Sequence, residues 1–149
     1  MEIREVMTES VVTAPADATV RRVAEMMRER NVGSVVLLDD DGAAVAFITD
    51  RDLAVSVLAD GHGGDATASD HASSPVVTAT PGTEVEEATQ LMVSNGIRRL
   101  PIVDDGRLTG IVTLDDLAAR IGDPALAANI TAQVTRAALP TFYFHDRGG

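Results

Sequence analysis

The chain has no cysteine, no tryptophan and no lysine. Without thiols it can form no disulfide, use no cysteine nucleophile and offer no thiolate to a metal. Its aromatics are Phe47 and the run Phe142-Tyr143-Phe144, so ring stacking has little to draw on before the C-terminal tail. No apolar run approaches the roughly 18–20 residues needed to cross a bilayer. The opening Met1-Glu2-Ile3-Arg4-Glu5 lacks the apolar core of an export signal, so a cytoplasmic protein is expected. Cations are scarce as well: 12 basic residues, all arginine, stand against 23 acidic ones, for a net charge of −11. Such a field repels nucleic acid and anionic membranes, and neither is expected as a partner. The acidity has two readings. One is adaptation to a salty cytoplasm, in which stability should be higher in molar potassium chloride than in dilute buffer. The other is a GC-rich genome favouring arginine and alanine, with incidental acidity.

What the chain does have is an internal duplication. With 149 residues and 45% hydrophobic content it fits one globular domain with a sizeable core. Val11-Val12-Thr13-Ala14 returns as Val76-Val77-Thr78-Ala79, and Thr49-Asp50-Arg51-Asp52-Leu53 returns as Thr113-Leu114-Asp115-Asp116-Leu117. Between these anchors Val20 matches Val85, Met27 matches Met92, Val32 matches Ile97, Leu37 matches Ile102 and Ile48 matches Val112. The register shifts once, where the acidic turn Asp39-Asp40-Asp41-Gly42 shortens to Asp104-Asp105-Gly106. The repeating unit of roughly 60–65 residues is too long for a solenoid repeat and short for a free-standing domain. Two halves burying apolar faces against each other, with two similar clefts, are the expected outcome.

Each half reads as β-α-β-β-α, an α/β (α+β) unit. A short helical lead, Ile3 to Met7, precedes the extended Val11-Val12-Thr13, and Asp17 to Thr19 supply helix-start chemistry. Val20, Val23, Met26 and Met27 recur at helical spacing. The β-branched run Val32 to Leu38 suits a buried strand, and Ala43 to Ile48 returns after the acidic turn. Asp50 is expected to cap a helix through Leu58. Residues 59–75 are small and polar, with a lead-in helix near Ser69 to Ser73. The second half repeats the order: extended Val76-Val77-Thr78, a helix marked by Val85, Ala88, Leu91 and Met92, paired strands Arg99 to Val103 and Leu108 to Thr113, and a helix Leu114 to Ile121. The segments are therefore repeat 1 over 1–60, a linker over 61–68, repeat 2 over 69–121 and a C-terminal helix and tail over 122–149. In that tail Asp123-Pro124 starts a helix, Leu126, Ile130 and Val134 share a face, and Pro140 stops it before Phe142-Tyr143-Phe144. The helix either covers a flank of its own domain or docks on a second copy of the chain.

Catalytic signatures are missing. His62, His71 and His145 show no paired metal-ligand spacing, and the acidic turns lack the downstream ligands of a calcium loop, so no metal site is expected. There is no serine elbow and no Gly-Lys phosphate loop. Neither an enzyme nor a protein requiring a cofactor is expected.

The duplicated motifs resemble a tandem pair of cystathionine β-synthase (CBS) domains, a Bateman module of the stand-alone archaeal or bacterial type. The residues that carry the likeness are Val6-Met7-Thr8, Asn31-Val32-Gly33-Ser34-Val35, Phe47-Ile48-Thr49-Asp50-Arg51-Asp52-Leu53, Gly96 to Asp104 and Gly110 to Leu117. The resemblance covers about residues 1–121. It implies two repeats related by a pseudo-twofold axis, clefts between them that take AMP, ADP, ATP or S-adenosylmethionine, and signalling to an unidentified protein target by conformational change. It also implies a homodimer through the CBS helices, to which the tail could add.

By this resemblance Thr49, Asp52, Thr113 and Asp116 are the ribose and phosphate positions. A carboxylate can accept from both ribose hydroxyls, and a threonine at a strand end can join free helix N–H groups at a phosphate. The competing reading is that each Asp only caps the first helical turn. Arg98 and Arg99 match basic phosphate-reaching positions, or else pair with nearby acids. Adjacent strand residues face opposite ways, so only one of the two should enter a given cleft. Val12 and Thr13, with Val77 and Thr78, offer an apolar slot and backbone groups to a base. The first repeat departs from the pattern: Gly33 and Ser34 stand where the second has Arg98 and Arg99, and Ala46 replaces Gly110. The second cleft is therefore expected to favour phosphate-bearing ligands, with Arg51 a partial substitute in the first. The alternative function is a dimerising scaffold with vestigial clefts.

Overall fold

A computed structural model describes residues 1–74 and 76–138. It divides into two compact units, each built on one repeat. The first-repeat unit holds residues 10–76 with 104–108, and the second-repeat unit holds 1–9, 77–103 and the chain from Thr109.

In the first-repeat unit, strand β1 (Thr13–Pro15) leads into helix α1 (Val20–Arg30). Thr19 caps that helix, its hydroxyl accepting from the Arg22 amide at 3.1 Å. Val20, Val23 and Met27 fall on one face and are buried, while arginines and glutamates take the other. Asn31 ends the helix in the left-handed region, at φ 53°. Strand β2 (Ser34–Leu38) buries Val35, Val36 and Leu37. It pairs antiparallel with β3 (Ala44–Thr49), Ser34 opposite Thr49, and parallel with β1, Thr13 opposite Val36. The connecting turn is held by Asp39, whose carboxylate accepts from the amides of Asp41 and Ala43. After β3 comes a single helical turn, α2 (Asp50–Asp52), which runs on as a π-helix over Leu53–Leu58. A 3₁₀ turn at Ala68–His71 closes the unit, with Ala68 fully buried.

In the second-repeat unit, α3 (Val85–Asn95) buries Val85, Ala88, Thr89 and Met92 and ends at Gly96, which adopts φ 61°. Strands β4 (Arg99–Asp104) and β5 (Arg107–Thr113) form a two-stranded sheet. Helix α4 (Leu114–Arg120) follows, then α5 (Pro124–Ala138). The Asp123 carboxylate accepts from the amides of Ala125 and Leu126, and Pro124 fills the first helical position.

The lead-in segments are exchanged relative to chain order. Residues 1–9 precede the first repeat but belong to the second-repeat unit: Ile3 is fully buried in its core, the Ile3 amide bonds the Thr83 carbonyl at 2.8 Å, and Thr8 pairs with Ile111. The matching segment before the second repeat stays in the first-repeat unit, where Ser73 pairs with Phe47.

Two local expectations are corrected. Thr49, not Asp50, caps the helix after β3, and that helix turns π from Leu53 onward. Val76-Val77-Thr78 forms no strand; the segment's pairing is a parallel bridge between Ala79 and Ile102. The face of α5 expected from Leu126, Ile130 and Val134 packs on the core, with Leu126 half-buried and Ala127 buried beside it. This face packs on α3 and α4, so through Ala138 the helix covers a flank of its own unit. Pro140, Phe142-Tyr143-Phe144 and His145 lie outside the described residues.

Candidate functional site

Strand polarity gathers the candidate residues at one edge of each unit. In the first-repeat unit β1 runs parallel to β2 and β3 runs against it, so the starts of β1 and β2 and the end of β3 lie together. That edge carries Val12, Thr13, Ser34, Thr49 and the turn to Asp52. Thr13 and Thr49 flank β2 on opposite sides, Thr13 opposite Val36 and Thr49 opposite Ser34. Val12 packs against the core, and its carbonyl accepts from the Val36 amide at 3.1 Å.

Thr49 and Asp52 form a reciprocal cap. The Thr49 amide and hydroxyl donate to Asp52 Oδ2 at 2.8 and 3.1 Å, and the Asp52 amide donates to Thr49 Oγ1 at 3.2 Å. One carboxylate oxygen is thereby consumed. The other, Oδ1, accepts no hydrogen bond among the described residues, and the side chain is half-buried. Beyond the cap, Ser56 Oγ and His71 Nδ1 share a hydrogen bond of 2.8 Å, and the His62 and His71 rings lie 4.8 Å apart. Among the described residues no cluster of three or more His, Asp or Glu could hold a metal ion.

The second-repeat unit repeats the cap almost atom for atom. The Thr113 amide and hydroxyl donate to Asp116 Oδ2 at 2.9 and 3.0 Å, and the Asp116 amide donates to Thr113 Oγ1 at 3.1 Å. The remaining oxygen differs. Asp116 Oδ1 accepts from the Thr8 hydroxyl at 3.3 Å and lies 3.5 Å from Arg120 Nη2, with only 14% of the side chain exposed. Arg120 also donates to the carbonyls of Val6 and Met7 at 3.0 and 2.9 Å, tying the lead-in segment to α4. Neither Thr8 nor Arg120 was among the expected site residues. The spacing of Asp116 and Arg120, four apart on one helix, is a signal that could have found the second. Thr8 is 108 residues from Asp116, and nothing local points to it.

Arg98 and Arg99 stand at the start of β4. The Leu114 amide bonds the Arg98 carbonyl at 2.9 Å, which sets both arginines beside the Thr113 cap. Arg98, just before β4, is exposed, and Arg99, its first residue, is half-buried. Neither takes part in an ion pair among the described residues. Val77 packs against the core of this unit and Thr78 is exposed. A groove along α4 and α5, lined by Ala118, Ala128, Ala132 and Arg136 among others, contains none of the candidate residues.

The CBS domain model matches the chain twice, over residues 3–59 and 68–123. The chain belongs to the CBS domain family. Its relatives include protein MK0525 of Methanopyrus kandleri, 40% identical over 138 residues that cover 91% of this chain and 69% of that one. Among solved structures, the CBS domain protein PAE2072 of Pyrobaculum aerophilum, complexed with AMP, is 27% identical with a TM-score of 0.76, covering 89% of this chain and 99% of the other. The CBS domain pair of protein MJ0100, in complex with 5′-methylthioadenosine and S-adenosyl-L-methionine, is 25% identical with a TM-score of 0.72, covering 79% and 93%. The α+β fold expected of a tandem CBS pair is the fold found. Among the described residues no helix is long and apolar enough to cross a membrane.

Proposed function

We propose that this CBS pair is a regulatory module that binds adenosine-containing ligands and catalyses no reaction. The observation that carries this reading is the pair of Thr-x-x-Asp caps. Each stands where a strand gives way to a helix, beside the start of its neighbouring strand, in a chain similar to proteins complexed with AMP and with S-adenosylmethionine. In this role Asp52 and Asp116 receive ribose hydroxyls, Thr49 and Thr113 together with the helix N–H groups face phosphate, and Val12, Thr13, Val77 and Thr78 meet the base. Binding shifts the protein between states only as far as the ligand prefers one of them, and a protein partner reads the difference.

The scaffold reading has one observation in its favour: each cap consumes its threonine hydroxyl and one carboxylate oxygen internally. Thermal shift in molar potassium chloride with AMP, ADP, ATP, S-adenosylmethionine and NAD separates the two. A ligand at about a hundred times its dissociation constant adds about 2.7 kcal/mol, so a sensor shows a rise of several degrees with at least one compound. No shift with any of them favours the scaffold instead. We also propose a homodimer through the CBS helices. Val55 and Leu58, 51% and 75% exposed on the π-helical segment, supply apolar surface for it. Light scattering gives the mass directly.

A further inference from the structure

The two strand-end sites differ in charge and in which groups are already occupied. We infer that they select different classes of adenosyl compound: the Thr49–Asp52 site an uncharged or cationic nucleoside, such as a thioether or sulfonium derivative, and the Thr113–Asp116 site a phosphorylated one. This rests on the functional reading above.

At the first-repeat edge the positions of the two arginines are taken by Gly33 and Ser34, and the following turn carries Asp50 and Asp52. Arg51, exposed on the same turn, already has an interaction of its own. A phosphate there meets the carboxylates of Asp50 and Asp52 without the paired arginines of the second repeat. What the site does offer is Asp52 Oδ1, an acceptor with no hydrogen bond among the described residues. A ribose hydroxyl can donate to it without displacing anything, and a positive sulfonium is attracted to the same pair of acids.

At the second-repeat edge the balance is reversed. Asp116 Oδ1 is held by Thr8 and Arg120, so a ribose hydroxyl has to compete for it. This turn carries two acids as well, Asp115 and Asp116, but Arg98 and Arg99 stand beside it and carry no ion pair among the described residues. Their planar donor forks suit phosphate oxygens. The strongest attraction at this edge is for anion, and the strongest at the other is for the sugar.

The test is calorimetric titration of the full chain with AMP and with S-adenosylmethionine, on the wild type, the double variant Arg98→Ala/Arg99→Ala, and Asp52→Asn. Asparagine keeps one oxygen for the Thr49 amide and places an NH2 group beside the other position. Circular dichroism and the melting temperature verify that each variant folds. The arginine variant should lose at least tenfold in AMP affinity and keep its S-adenosylmethionine affinity within twofold. Asp52→Asn should do the opposite. Equal losses for both ligands in both variants overturn the division while leaving the sensor reading intact. A wild type that binds neither ligand, nor any other adenosyl compound, overturns the sensor reading itself.

Discussion

Two units built on one repeat finish the same junction in different ways. After Thr113–Asp116 the chain continues as a regular helix, Arg120 fastens the lead-in carbonyls to it, and α5 lies over α3 and α4. After Thr49–Asp52 the helix widens into a π-turn, with the Ala59 amide bonding Ala54 and the His62 amide bonding Val57. Ser56 stands at the position matching Arg120 and bonds His71, and Val55 and Leu58 remain exposed. π-Turns are rare and concentrate at functional sites. The difference shows how duplication frees one copy: where stability is supplied by Arg120 and α5, the carboxylate is committed, and where it is not, an acceptor stays open.

The sharpest contrast lies beneath the lead-in segment. Gly110 is buried, and a Cβ there would come within 2.9 Å of both Met7 Sδ and the Thr8 carbonyl. At the matching positions the first-repeat unit carries Ala46, buried, and Ala72, half-buried against the same core. Gly110→Ala should therefore be the most damaging small change in the chain, at about 1–3 kcal/mol for overpacking, measured by chemical denaturation. Adding Met7→Ala should recover part of that loss, since the sulfur clash goes and the carbonyl clash stays. Ala46→Gly should cost about 0.5–1 kcal/mol. Similar costs at the two positions would mean that the lead-in segments are not held as differently as the Gly110 contacts imply.

Next in size is the carboxylate. Asp116 receives the Thr113 amide and hydroxyl, the Thr8 hydroxyl and the Arg120 guanidinium, whereas among the described residues Asp52 receives the Thr49 amide and hydroxyl alone. Asp116→Asn should cost about 1–2 kcal/mol more than Asp52→Asn, because its unpaired partners include a charged group and a half-buried hydroxyl. Arg120→Ser, which gives the second repeat the residue of the first, should lower stability by about 1–2 kcal/mol through the two lost carbonyl bonds. It should also raise affinity for ribose at Asp116. A stability loss with no gain in nucleoside affinity would mean that the oxygen, once released, is still not offered to a ligand.

How far the sequence foretold this depends on the range of the interaction. The β-α-β-β-α order followed from Val20, Val23 and Met27 at helical spacing, the β-branched run into β2 and the Asp-Gly turns, all signals carried within a few residues. The Thr-x-x-Asp caps were legible for the same reason. The lead-in exchange was not, because Ile3 looks like an apolar residue of whichever half it precedes. Its bonds to Thr83 and its burial in the second-repeat core span the whole repeat. Of the matching stretches Val11-Val12-Thr13 and Val76-Val77-Thr78 only Thr13 enters a strand, since pairing depends on the partner edge as well as on the segment. The π-turn escaped notice because Leu53 to Leu58 has ordinary helical composition. What distinguishes it is Ser56 reaching His71, a contact made through the fold.

The smallest expected difference tests what the two units share. Their caps agree to within 0.1 Å at every bond: 2.8, 3.1 and 3.2 Å at Thr49–Asp52, and 2.9, 3.0 and 3.1 Å at Thr113–Asp116. Each threonine satisfies an otherwise orphaned N–H and orients the carboxylate that follows. Thr49→Ala and Thr113→Ala should each cost about 1 kcal/mol, and the two values should agree within about 0.5 kcal/mol in parallel denaturation curves. Equality would assign the caps to local chemistry, indifferent to whether an α-helix or a π-turn follows. A much smaller cost at Thr49 would show that the π-turn already weakens its cap. In that case the open oxygen of Asp52 would belong to a looser first turn, and the contrast between the units would begin one residue earlier, at the threonine itself.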